Sequence, residues 1–105
     1  MEISKRDWKL YREKMAQWQE NYMDRLNKEY IELLSSEKGN PSDRFCELEK
    51  RIKEDRRHPG VILERRKSTA FFDIVNLIRL NVITINDLEG FSEALQEAVK
   101  EILAR

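Results

Sequence analysis

Two side chains stand out as candidates for chemistry in this 105-residue chain: its single histidine, His58, and its single cysteine, Cys46. His58 precedes Pro59 and Gly60 in a basic loop. As a general base it would need a nucleophile or carboxylate within hydrogen-bond reach. Its nearest acids, Glu54 and Asp55, belong to a preceding helix whose geometry directs them elsewhere. The expected role of His58 is therefore to cap its loop or face water. Cys46 follows Phe45, and a reactive thiol needs an electropositive, accessible setting. Arg44 and Lys50 could supply one, but the expectation is a small buried filler. A lone cysteine forms no internal disulfide, which points to a reducing, cytoplasmic compartment. No His/Cys cluster has metal-ligand spacing, and the sequence contains no P-loop, GxSxG or GxGxxG. The glutamates spread along wet faces instead of pairing on an apolar one. The reading is a non-enzyme with no catalytic, cofactor-binding or metal residues and no cofactor.

The charge pattern is more informative. Residues 50–67 carry eight basic side chains against three acidic ones, a local net of +5, although the whole chain is formally neutral. The segment from Ser68 onward is net −3 and residues 1–49 are net −2. A basic elbow built on Arg56, Arg57, Arg65, Arg66 and Lys67 suits phosphates, or an acidic protein surface. A solvated helix junction that happens to be basic is the plainer reading of the same residues.

A second signal is aromatic. Trp8, Tyr11, Met15, Trp18, Tyr22, Leu26, Tyr30 and Leu33 recur at steps of three and four, one helical face sustained over seven turns. The helix they predict runs from about Ser4 to Leu34. Some 30 residues span about 45 Å, whereas a compact domain of this size is only about 35 Å across. Part of this helix must overhang or be covered by another chain. Trp8, Tyr11, Met15 and Trp18 are residue types that anchor interfaces, so they are the candidate protein-interface residues. Core packing is the competing reading.

The remaining elements follow from caps and periodicity. Ser35–Asn40 ends the first helix, with Gly39 available for a left-handed cap. Asn40, Pro41 and Asp43 suit the N-cap, first and third positions of a second helix. Its thin stripe, Phe45, Leu48 and Ile52, is expected to pack inward. Pro59 closes it. Residues Val61–Val82 are apolar on most sides of a helical wheel and predict a central buried third helix, with Phe71, Ile74, Val75 and Ile78 in the core. Ile83–Asn86 reads as a turn, with Thr84 or Asn86 capping a short helical turn at Asp87–Glu89. A last helix over about Phe91–Leu103 presents Leu88, Phe91, Leu95, Ala98, Val99 and Ile102.

Composition bounds the rest. Charged residues make up 38% of the chain, and only three Gly and two Pro occur, which favours helices over a turn-rich β fold. The first ten residues contain no apolar core of a secretion signal. The most apolar stretch, Ala70–Ile85, is broken by Asp73, Asn76, Arg79, Asn81 and Thr84, so no membrane span is expected.

Three stretches carry a resemblance: DWKLYREKMAQWQENYMDRLNKEYIELL (7–34), EKRIKEDRRHPGVILERRKS (49–68) and NDLEGFSEALQEAVKEIL (86–103). They resemble a family of small helical proteins of gut Firmicutes often mislabelled "multidrug transporter". The resemblance implies no activity or site residues, and it allows cargo of mobile elements, including anti-CRISPR inhibitors. The expectation is an all-α, antiparallel bundle of four main helices forming a single domain over residues 1–105. It would act as a non-catalytic protein-binding module, an inhibitor of anti-CRISPR type or an adaptor, with a protein partner or a second copy as in a homodimer. The alternative is a small nucleic-acid-binding accessory protein using the Lys50–Lys67 region.

Overall fold

The computed structural model describes all residues, Met1–Arg105, as four α-helices and one 3-10 turn. Helix makes up 68% of the chain and there is no strand. The helices are α1 (Lys5–Ser35), α2 (Pro41–Asp55), α3 (Ala70–Arg79) and α4 (Glu93–Leu103), with the 3-10 turn at Ile85–Leu88 before α4.

The starts of α1, α2, α4 and the 3-10 turn have local causes, whereas Thr69 makes no capping hydrogen bond to α3. The Ser4 hydroxyl accepts the Asp7 N–H at 3.1 Å, and the Ser92 hydroxyl accepts the Leu95 N–H at 3.2 Å. The Asp43 carboxylate accepts the Asn40 N–H at 3.2 Å beside Pro41. Asp87 does the same for Thr84 at 2.7 Å, so Ile83–Asn86 enters a turn and forms no strand. Gly39, with φ +72°, takes the left-handed bend between α1 and α2.

The third helix is shorter than its apolar pattern predicts. It ends in a Schellman motif: the Val82 N–H bonds the Leu77 carbonyl at 2.9 Å, and the Asn81 N–H bonds that of Ile78 at 3.0 Å. Asn81 supplies the left-handed residue at φ 60°. At the other end, Val61–Thr69 is irregular, not helical. Val61 and Leu63 are half-buried while Ile62 faces water. The Val61 carbonyl accepts from Gln19 and the Glu64 carbonyl from the Tyr11 hydroxyl at 3.1 Å. The carbonyls of Val61 and Glu64 are thus spent on α1 side chains instead of a helical ladder.

The buried core is a cluster of 17 apolar residues. It draws Tyr11, Met15, Trp18, Tyr22 and Leu26 from α1, Phe71, Ile74, Val75 and Leu77 from α3, and Leu95 and Val99 from α4. Phe71, Ile74 and Val75 are buried as their pattern predicts, whereas Ile78 is only half-buried. The packing stops along α1 at Leu26, and α2 contributes no buried residue. The molecule therefore has a packed head, built on the first two thirds of α1, and an arm made of the end of α1 paired with α2. Its extents of 52 × 25 × 19 Å and radius of gyration of 16.7 Å record that arm. A compact chain of this length has a radius near 13 Å.

Candidate interaction surface

The predicted interface residues of α1 are in the head. Tyr11, Met15 and Trp18 are 0%, 2% and 6% exposed, and Trp8 is half-buried against them. Tyr11 lies 5.8 Å from Trp8 and 6.0 Å from Trp18, ring centre to ring centre, and Trp18 stacks on Phe91 at 6.3 Å. Burial pushes the Tyr11 phenol well up, with the nearby carboxylates of Asp73 and Glu64 adding to it. These rings fill the monomer core instead of a free surface. The overhang predicted from helix length exists, but at the opposite end of α1. The anchors lie at the end where α3 and α4 return to cover them, which spacing within one helix does not reveal.

A buried carboxylate, absent from the sequence reading, ties that core together. Asp7 is 2% exposed and accepts from the Ser92 N–H at 2.9 Å and the Ser92 hydroxyl at 2.6 Å. One side chain thereby joins the N-termini of α1 and α4, where a negative charge is favoured.

His58 has a structural post. Its Nδ1 accepts the Gly60 N–H at 3.0 Å, and its ring stacks on Tyr22 at 4.8 Å and 9°. Gly60 is obligatory there, because a Cβ would sit 2.6 Å from Tyr22 Cδ2. Loop capping is thus the role the geometry supports. Cys46, expected as a buried filler, is exposed on α2, since no element covers that helix. No group of three or more His, Cys, Asp or Glu side chains is gathered where a metal could be held.

The basic elbow lines three neighbouring clefts. Arg56, Arg57, Arg65 and Arg66 are exposed and Lys67 is half-buried. Arg57 borders a cleft of about 350 Å³ with Tyr11, Glu64 and Asp73, where burial raises the Asp73 carboxyl above its ordinary value. Arg65 borders a second cleft beside Met15 and Gln19. Arg56 borders a third, of about 330 Å³, with Tyr30, Ile52 and Asp55. Arg66 lies 4.0 Å from Glu64.

The head leaves Ile62, Phe72 and Leu80 exposed, at 55%, 52% and 43%, so α3 is not buried on most sides, and the arm exposes four more apolar side chains. Phe45 is 67% exposed, Ile31 63%, Leu34 47% and Ile52 37%. The α2 stripe expected to pack inward is thus largely outside. The seam between α1 and α2 has two different sides. On one, Glu29, Glu32 and Ser36 face Arg44, Glu47 and Arg51. On the other, Asn27 and Tyr30 face Ile52 and Arg56. Ile31 and Leu34 follow Asn27 by four and seven residues, and Phe45 precedes Ile52 by seven, so all four continue the second, apolar side.

A polar clasp closes the arm where a core would otherwise do so. The Tyr30 hydroxyl donates to Asp55, and Arg51 reaches Asp55 at 3.6 Å and Glu29 at 3.8 Å while lying 5.4 Å over the Tyr30 ring. Burial, with the hydrogen bond to Asp55, pushes the Tyr30 phenol up to about 12. No helix is long and apolar enough to cross a membrane. Comparison with protein-family models, with curated proteins and with solved structures finds no match for this chain.

Proposed function

We propose that this protein is a non-catalytic protein-binding module whose docking element is the α1–α2 arm. One observation carries the reading: Ile31, Leu34, Phe45 and Ile52 are exposed on the projecting two-helix arm, at helical spacings that set them toward one side of it. Exposed apolar residues are ordinary when scattered singly, but clustered on one projecting element they mark an interaction surface. An inhibitor, of the anti-CRISPR type that the sequence resemblance allows, or an adaptor would use such a surface.

The test is capture from a native lysate with tagged wild-type protein and with Phe45→Asp, each with and without nuclease. A bound protein that survives nuclease and is lost with Phe45→Asp is the expected result. Capture that nuclease abolishes and Phe45→Asp leaves intact would overturn the reading in favour of nucleic acid.

A further inference from the structure

We propose that the apolar side of the arm docks on a second copy of this chain, antiparallel, as a closed two-fold pair. This names the partner of the surface described above and rests on the protein-binding reading of it.

The first argument is structural incompleteness. A 15-residue helix with no buried residue is marginal by itself in water. The arm is one layer of two helices, and stable helical folds need a second layer over the apolar stripe. A second arm laid across the first makes a four-helix arrangement with Phe45, Ile52, Ile31 and Leu34 inside it.

The second argument is charge, and it selects this chain as its own partner. The tip of the arm, residues 29–49, carries six acids against two bases, a net of −4, while residues 50–67 at its base are net +5. Arg51–Glu29 is the one cross-helix ion pair that joins the two zones, at 3.8 Å. The length of α2, about 22 Å at 1.5 Å per residue, separates their far ends by more than the screening length of about 8 Å in physiological salt. Neither end satisfies the other within one chain. Laid antiparallel, the acidic tip of each copy lies over the basic base of the other, and the attraction occurs twice by symmetry. A parallel arrangement would set acid on acid and base on base. The basic elbow acquires a role in receiving that tip.

The third argument is register and area. Phe45 and Ile52 lie three and four residues either side of Leu48, the middle of α2. Antiparallel overlap centred on Leu48 brings Phe45 against the second copy's Ile52, and the reverse. The 15 residues of α2 and the nine of α1 beyond Leu26, about 22 Å and about 14 Å long and about 10 Å wide, present about 360 Å² in plan per copy. Side-chain relief and the basic loop at the base of the arm add to the paired total of about 700 Å² in plan, toward the 1,200–2,000 Å² of a standard stable interface.

The experiment is sedimentation velocity on the full chain up to high micromolar concentration, with circular dichroism on every variant. Wild type is expected to sediment as a dimer. Phe45→Asp is expected to raise the dimer dissociation constant at least tenfold with helicity retained. The double reversal Arg56→Glu with Arg57→Glu, and the single reversal Glu37→Arg at the tip, should each weaken the dimer, and their combination in one chain should restore it. A wild type that stays monomeric throughout overturns the proposal, and so does a dimer indifferent to Phe45→Asp. Failure of the combined reversals to recover association overturns the antiparallel arrangement. A monomer that still captures a protein through Phe45 from lysate sinks the second copy while leaving the protein-binding function standing.

Discussion

The two ends of α1 face opposite physical problems. Over its first part, Tyr11, Met15, Trp18, Tyr22 and Leu26 are each under a tenth exposed, covered by α3, α4 and the loop between α2 and α3. Over its last part the same three-and-four spacing continues through Tyr30 and Leu33, yet these are only half-buried and the contacts are ionic. A helical stripe is therefore a statement about which side of a helix is apolar. Whether that side is dry depends on how many other elements reach it. In the head three elements do, and in the arm one does. Stability should be concentrated in the head and recognition in the arm.

The sharpest way to break this division is to truncate a ring in each region. Phe71→Ala in the head is expected to cost about 3–5 kcal/mol, because the ring is 2% exposed. Phe45→Ala in the arm is expected to change unfolding of the isolated chain by less than about 0.5 kcal/mol. Urea denaturation followed by circular dichroism compares them directly, under dilution that leaves the chain monomeric. Equal losses would mean that the arm is part of the folding core.

A smaller effect is expected from Asp7→Ala, which strips the Ser92 N–H of its acceptor and unties α1 from α4. The expected loss is about 1–3 kcal/mol, the penalty for a buried donor left unpaired. The same denaturation assay reads it, and an unchanged midpoint would show that water replaces the carboxylate.

Removing the α2 cap with Asp43→Ala should cost less, about 0.3–1 kcal/mol, and only locally. Hydrogen exchange should quicken in the first turn of α2 while the α3 and α4 amides keep their protection. Spread of the effect into the head would erase the distinction.

The mildest perturbation is alkaline pH. A tyrosine whose folded value is raised favours the folded state below its ordinary value of 10, and that contribution is lost as pH climbs to the folded value. For Tyr30 the window is pH 10 to about 12. Tyr11 is held higher still by burial. Ultraviolet titration should therefore ionise Tyr30 in the arm before Tyr11 in the head, with no effect at neutral pH. Ionisation in the reverse order would mean that the head opens first.

By itself the sequence determined the helices that local chemistry can specify. Asn40-Pro41 with Asp43 marks the start of α2, the even stripe from Trp8 to Leu33 marks α1, and Thr84 with Asp87 turns Ile83–Asn86 away from a strand. Caps and periodicity act over three or four residues, so one chain segment contains all the information. The end of α3 at Arg79 was legible only in part: the left-handed Asn81 signals it, yet the apolar run past it argues for continuation.

What the tertiary structure alone decided is coverage. Tyr11 and Phe45 are both aromatic residues on helical stripes, and nothing in their local sequence separates them. The chain folds α3 and α4 back along the N-terminal part of α1, which Asp7 and Ser92 lock 85 residues apart in sequence. One ring is thereby enclosed and the other left in water. The basic residues follow the same rule. Their count is a property of the sequence, but the Val61–Thr69 loop, held by Gln19 and Tyr11, decides which clefts Arg56, Arg57 and Arg65 border. Burial and convergence depend on which distant segments meet, and that is set by the summed packing of the whole chain.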